Sequence, residues 1–121
     1  PPLLYDTGEQ TRCFTYVSDV IDGIIAAATH PGAIGEVFNL GNTRESTVAE
    51  VVETVCRQAN LKEPPRRFDT AQEYGAVYED IPRRVPSAEK AARILNWRAT
   101  TELEEGVRRT IDWARAQMAE S

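Results

Sequence analysis

Gln10-Thr11-Arg12-Cys13-Phe14-Thr15-Tyr16-Val17-Ser18-Asp19 carries strand-like alternation straight into a helix start. Strand side chains alternate with a period of two, so Thr11, Cys13, Thr15 and Val17 share one face and Arg12, Phe14 and Tyr16 the other. Arg12 is thereby set beside two rings that can shield its planar fork while it grips a phosphate or carboxylate. A surface ion pair with a nearby acid is the commoner role of a lone arginine. From Val17 the period changes: Val20, Ile21, Ile24, Ile25 and Ala28 recur at helical spacing, with Ser18 or Asp19 placed to cap the first turn. Pro31-Gly32 ends this helix, which is more apolar than a solvent-facing one and is expected to lie buried between two layers. The stretch therefore joins a strand to a helix and points to an α/β chain.

Upstream, Leu3-Leu4-Tyr5 reads as a strand and Asp6-Thr7-Gly8 as a turn, which together predict a hairpin into the opening stretch. Downstream, glycines bracket a short strand expected over 36–40. Asn39 at its tail and Gly41 after it suit either a turn or a polar ligand. Thr47 with Glu50 makes a capping box for a helix running to about Asn60, with Val48, Val51, Val52 and Val55 as its stripe. Pro64-Pro65 breaks the chain before a possible strand, Arg66-Arg67-Phe68.

Residues 69–86 have no period and read as a binding or mobile loop. Within them Pro82 and Pro86 stiffen the surroundings of Arg83 and Arg84, which lowers the entropy lost when a guanidinium is fixed on an anion. Charge balance against Glu79 and Asp80 is the competing explanation. Ser87 is placed to cap a helix through Leu95, with Ala88, Ala91, Ala92 and Leu95 inward. Thr101 with Glu104 opens a last helix, whose stripe is Leu103, Val107, Ile111, Ala114 and Met118. Trp97 and Trp113 read as packing residues, and His30, solitary beside Pro31, as a surface residue at a helix end.

The chain has 121 residues, enough for one domain, with 41% hydrophobic and 27% charged residues. No apolar run approaches the roughly 20 residues of a membrane span. A net charge of -5 and a pI near 4.9 disfavour non-specific nucleic-acid binding, so any phosphate has to be met locally. Cys13 and Cys56 follow neither a metal-ligand nor a disulfide spacing and read as small core fillers, a usage that suits a reducing cytoplasm. The opening Pro1-Pro2, without an initiator methionine or leader, reads as a piece of a longer polypeptide. The chain holds no Gly-x-Gly-x-x-Gly, no Gly-Lys-Ser/Thr loop, no His-Glu-x-x-His and no tyrosine followed four residues later by lysine. No catalytic set and no metal-ligand set is complete.

Several spaced motifs nevertheless agree. Asp6 through Asp19, then Val37-Phe38-Asn39-Leu40-Gly41-Asn42, then Arg84-Val85-Pro86 ahead of Lys90-Ala91, then Leu95-Asn96-Trp97 and the closing Thr-x-Leu-Glu-Glu-Gly-Val-Arg-Arg-Thr-Ile-Asp-Trp resemble one family. It is the C-terminal part of the nucleotide-sugar epimerases, dehydratases and decarboxylases of the extended short-chain dehydrogenase/reductase superfamily. The Gln-Thr-Arg-x-Phe-x-Tyr-Val-Ser-Asp and Asn-Leu-Gly-Asn forms look most like UDP-glucuronate decarboxylases, with UDP-glucose 4-epimerase-like and UDP-glucuronate epimerase-like members close behind. Nearly all of the chain is covered. Two positions depart from the pattern: Ser87 stands where an aspartate is frequent, and Asn96 where a glycine usually precedes the tryptophan.

The resemblance implies an α/β fold of short strands and about four helices, lacking the Rossmann half, with residues 1–121 as a nucleotide-sugar-binding C-terminal domain. The missing half would hold NAD and the Tyr-x-x-x-Lys base, leaving no cofactor and no catalytic residue in this piece. It further implies that Arg12 and Arg84 meet the diphosphate of a UDP-sugar and that Asn39 lines the same pocket. Gln10 and Tyr16 complete the expected substrate-binding set. Residues 17–40 are expected to pack on the missing half and, without it, to expose apolar surface that favours self-association, so a homo-oligomer such as a dimer is expected. Expected partners are thus the nucleotide sugar, the absent half and further copies of the chain, with neither nucleic acid nor membrane among them. A free-standing binding or oligomerisation module that kept the fold without catalysis is the rival from another class.

Overall fold

The computed structural model describes residues 1–69 and 81–119. They fall into two compact units, one of Pro1–Arg12, Ser46–Arg84 and Val107–Ser121, the other of Cys13–Glu45 and Val85–Gly106.

In the first unit, β1 (Leu3–Tyr5) pairs in parallel with β4 (Arg66–Phe68), with Leu4 opposite Arg67. Asp6 N–H extends the pairing to the Phe68 carbonyl at 2.7 Å, and the Tyr5 and Phe68 rings meet edge to face at 5.2 Å. β2 (Thr11–Arg12) pairs antiparallel with β3 (Ser46–Thr47). The expected hairpin of β1 with β2 is therefore replaced by two long-range pairings. The turn between them has another use. Asp6 and Gly8 both have positive φ, and a Cβ at Gly8 would stand 2.7 Å from Leu4 Cδ1, so the chain doubles back tightly with no room for a side chain. Its carbonyls then serve α2 (Val48–Ala59). Val48 N–H donates to Gln10 O at 3.1 Å, Ala49 N–H to Gly8 O at 3.0 Å, and Glu50 N–H to Thr47 Oγ1 at 3.0 Å. Three of the four donors that a helix start leaves unpaired are thus satisfied, and the capping role read for Thr47 is present. α2 ends on Asn60 in the left-handed region, φ 56°. Most of α4 (Leu103–Ala119) also lies in this unit, where Arg115 Nη2 donates to the Ala59 carbonyl. Trp113, read as a packing residue, is instead 66% exposed, and Met118 is exposed as well.

The second unit centres on Ala88, Ala91, Leu95 and Trp97, with Ala26, Ala27, Phe38, Leu40 and Ile94 packed against them. α1 (Val17–Thr29) approaches this core closely. A Cβ at Gly23 would stand 2.9 Å from Trp97 Cε2 and 3.0 Å from Leu40 Cδ1. α3 (Glu89–Leu95) contributes buried Ala91 and Leu95 and ends on Asn96 at φ 51°. Three readings need correction here. Neither Ser18 nor Asp19 caps α1, whose cap position is Tyr16 with no side-chain bond. Asp19 is already committed elsewhere, to Thr100 and Thr101. Likewise Ser87 caps nothing at α3, where the cap position is Ala88. The stretch over 36–40 forms no strand, because a strand needs a ladder partner and the described residues pair none with it. Only one side of α1 is covered. Val17, Ile21, Ile24 and Ile25 are all exposed, as are Ile34 and Val37, the last at 81%. The expected burial of that helix on both sides is therefore not met within these residues.

Among the described residues no helix is long and apolar enough to cross a membrane. Cys13 and Cys56 are in no disulfide and are only half buried.

Candidate functional site

The strand face read around Arg12 is shorter than its alternation suggests, since β2 stops at Arg12. Pairing of Thr11 with Thr47 and Arg12 with Ser46 fixes that strand on β3, leaving Arg12 half-buried at its end. Its guanidinium does specific work: Nη1 donates to the Thr11 carbonyl and to the Ile81 carbonyl, both at 2.7 Å. Thr11 N–H donates to the Pro82 carbonyl at 2.9 Å, and Thr11 forms a parallel bridge with Arg83. Successive residues of β2 thus hold successive carbonyls of the proline-stiffened segment. The register places Arg12 and Arg84 each one residue beyond the bridged pair. Arg84 is exposed and Gln10 half-buried, the latter giving its carbonyl to α2. Gln10, Arg12 and Arg84 therefore belong to one unit. Two cations on neighbouring backbone segments can meet the two phosphates of a diphosphate with charge-assisted bonds.

Asn39 and Tyr16 belong to the second unit. Asn39 is exposed. Around it the chain is braced: Lys90 pairs with Glu36, and its ammonium lies 5.3 Å from the Phe38 ring centroid. A hydrogen bond from Lys90, aided by its charge, holds the Glu36 carboxyl below its ordinary value. Past Gly41, Asn42 N–H donates to Thr15 Oγ1 at 2.9 Å, and Asn42 Oδ1 accepts from Arg44 N–H at 3.0 Å. Tyr16 is half-buried, and its ring lies against Gly106 at the start of α4. His30 Nδ1 accepts from Gly32 N–H at 3.1 Å at the exposed end of α1, so its surface reading holds.

Sequence reasoning missed the carbonyls of Ile81 and Pro82 and the hydroxyl of Thr15 as fixing points. The first two carry no side-chain signal, and Thr15 was legible only as one member of an alternation. The expected binding loop over 69–86, with the Glu79 and Asp80 alternative, lies mostly outside the described residues. No group of three or more His, Cys, Asp or Glu among the described residues is arranged to hold a metal. The sequence holds neither a glycine-rich phosphate loop nor a Tyr-x-x-x-Lys pair.

Among the described residues, short strands with four α-helices agree with the α/β fold of an extended short-chain dehydrogenase/reductase. Residues 1–110 match the family GDP-mannose 4,6 dehydratase. The chain belongs to that family, among the NAD-dependent epimerases and dehydratases of the extended superfamily. A UDP-N-acetyl-alpha-D-glucosaminuronate decarboxylase of Bacillus cytotoxicus is 32% identical over 113 residues, which are 93% of this chain and 35% of that protein. The UDP-glucose 4-epimerase of Thermotoga maritima, solved with UDP-glucose, superposes with a TM-score of 0.82 at 24% identity over 97% of this chain and 35% of that one. MoeE5, solved with UDP-glucuronic acid and NAD, superposes at 0.81 and 28% identity over 97% and 37%. The chain thus spans about a third of the length of the curated relative it matches.

Proposed function

We propose that this chain is the nucleotide-sugar-binding portion of an NAD-dependent epimerase or decarboxylase, and that Arg12 and Arg84 hold the diphosphate of a UDP-sugar. The observation that carries the reading is the clasp of β2 on residues 81–83, which brings two arginine-bearing segments of a net acidic chain side by side. Guanidiniums carried on adjacent segments suit the two phosphates of a diphosphate, each able to make charge-assisted bonds. The family membership and the UDP-sugars held by the solved relatives support the same substrate class. In the whole protein, a dinucleotide-binding half would supply NAD and the catalytic base, and residues 17–40 would pack on it. The exposed isoleucines of α1 and the unpaired run over 36–40 favour that placement.

Calorimetric titration of the chain with UDP and UDP-glucuronate tests the diphosphate grip. Arg84→Ala, at an exposed position, is expected to weaken binding about 10-fold or more, the worth of one charge-assisted contact. An unchanged affinity removes the assignment.

A further inference from the structure

Arg12 does more than present a charge. Its Nη1 spans two carbonyls on different segments, Thr11 O of its own strand and Ile81 O of the arginine loop. The neighbouring Thr11 N–H takes the next carbonyl, that of Pro82. We propose that Arg12 is a positioning residue for Arg84: its grip on Ile81 fixes the backbone of residues 81–84 along β2 and so sets where the Arg84 guanidinium meets a diphosphate. The inference rests on the diphosphate reading above.

The physical basis is entropic. An arginine side chain has many rotamers, and a mobile backbone beneath it multiplies the states that a bound anion must freeze out. Pro82 narrows its own φ but contributes no N–H, so the segment cannot build a regular ladder on its donor side. Two of the bonds that β2 makes to it fall on its carbonyls, those of Pro82 and Ile81. Thr11 supplies one of these from its backbone, and only a side chain with Arg12's reach and paired donors supplies the other.

The test is a double-mutant cycle on the chain, combining Arg12→Met with Arg84→Ala and measuring UDP affinity, together with amide exchange of Thr11 in the absence of nucleotide. Arg12→Met keeps the apolar stem and removes every donor. The expected results are Thr11 exchange about 10-fold faster, for a charged hydrogen bond lost beside it, and a combined loss of UDP affinity smaller than the product of the single losses by about 3-fold or more. Thermal midpoints unchanged by Arg12→Met would separate this effect from general unfolding. Unaltered Thr11 exchange, or losses that multiply in full while Arg84→Ala does weaken binding, overturns the positioning role alone. An Arg84→Ala chain that binds UDP like the parent overturns the diphosphate reading and the positioning role with it.

Discussion

The Asp19 carboxylate accepts the backbone N–H of Thr101 at 2.9 Å, so a residue in the first turn of α1 fixes the loop that leads into α4. The same carboxylate accepts the N–H of Thr100 at 3.1 Å and its hydroxyl at 3.3 Å, while the Asp19 carbonyl accepts Trp97 Nε1–H at 2.8 Å. One buried residue thus ties together α1, the core tryptophan and the start of the last helix. Burial opposes ionisation of Asp19, but hydrogen bonds from the backbone and side chains of Thr101 and Thr100 outweigh it and hold the carboxyl below its ordinary value. A group whose folded pKa is depressed contributes stability that is present above its unfolded value and lost as pH falls through the folded one. Urea unfolding between pH 7 and pH 2.5 is expected to show stability falling below about pH 4, and an Asp19→Asn chain a smaller fall. Equal acid sensitivity in both would remove Asp19 as the cause.

Gly23→Ala is expected to destabilise the second unit although alanine is the better helix former by about 1 kcal/mol. The added methyl would meet Trp97 Cε2 at 2.9 Å and both Leu40 Cδ atoms at 3.0 Å. Trp97 is buried and tethered through Nε1 to Asp19, so it cannot swing aside without breaking that bond. Overpacking of this kind costs about 1–3 kcal/mol, enough to exceed the propensity gain. A rise in Tm on Gly23→Ala would show that the helix is not seated on the tryptophan as closely as described.

The helices were the most legible part of the sequence, because an apolar stripe at helical spacing reports on a contact made within a few turns of chain. α1 begins at Val17, where the period changes, and α2 ends beside Asn60. Strand partners were not legible. Leu3–Tyr5 finds its partner more than sixty residues away in Arg66–Phe68, and nothing in the local turn Asp6-Thr7-Gly8 distinguishes that pairing from a hairpin. Capping failed as a reading at Asp19 for a related reason: a carboxylate near a helix start serves its own first turn only when no farther donors compete, and Thr100 and Thr101 do. At the candidate site, Arg12 and Arg84 were visible as residue types in proline-rich or aromatic company. The carbonyl contacts that connect their segments have no sequence signature.

The apolar stripe of α1 should govern the solution behaviour of the chain by itself. Val17, Ile21, Ile24 and Ile25 lie at helical spacing and are each about half exposed or more. With Ile34 and Val37 they leave more large aliphatic surface open than a free monomer ordinarily carries. Sedimentation velocity over rising concentration is expected to show self-association, and Ile21→Glu with Ile25→Glu is expected to shift the chain toward monomer. A clean monomer at high concentration before any substitution contradicts the proposal that this face is built to be covered.

Asn96 provides a test of backbone geometry at the one place where the chain departs from the usual glycine before the tryptophan. Its φ of 51° and ψ of 36° lie in the left-handed region. Beyond it Trp97 N–H reaches back to the Ala91 carbonyl at 3.3 Å, a helix ending of the kind glycine normally serves. Asparagine tolerates this region because its short polar side chain bonds locally, whereas a β-branched residue clashes with its own backbone. Asn96→Gly is therefore expected to leave stability within about 1 kcal/mol of the parent, relief of strain being offset by the greater freedom of glycine in the unfolded chain. Asn96→Val is expected to lower it by about 1–3 kcal/mol, and to do so by displacing Trp97, which near-ultraviolet circular dichroism and tryptophan fluorescence would register. If the valine chain unfolds at the same urea concentration as the glycine chain, the left-handed turn is not what seats Trp97 in the core.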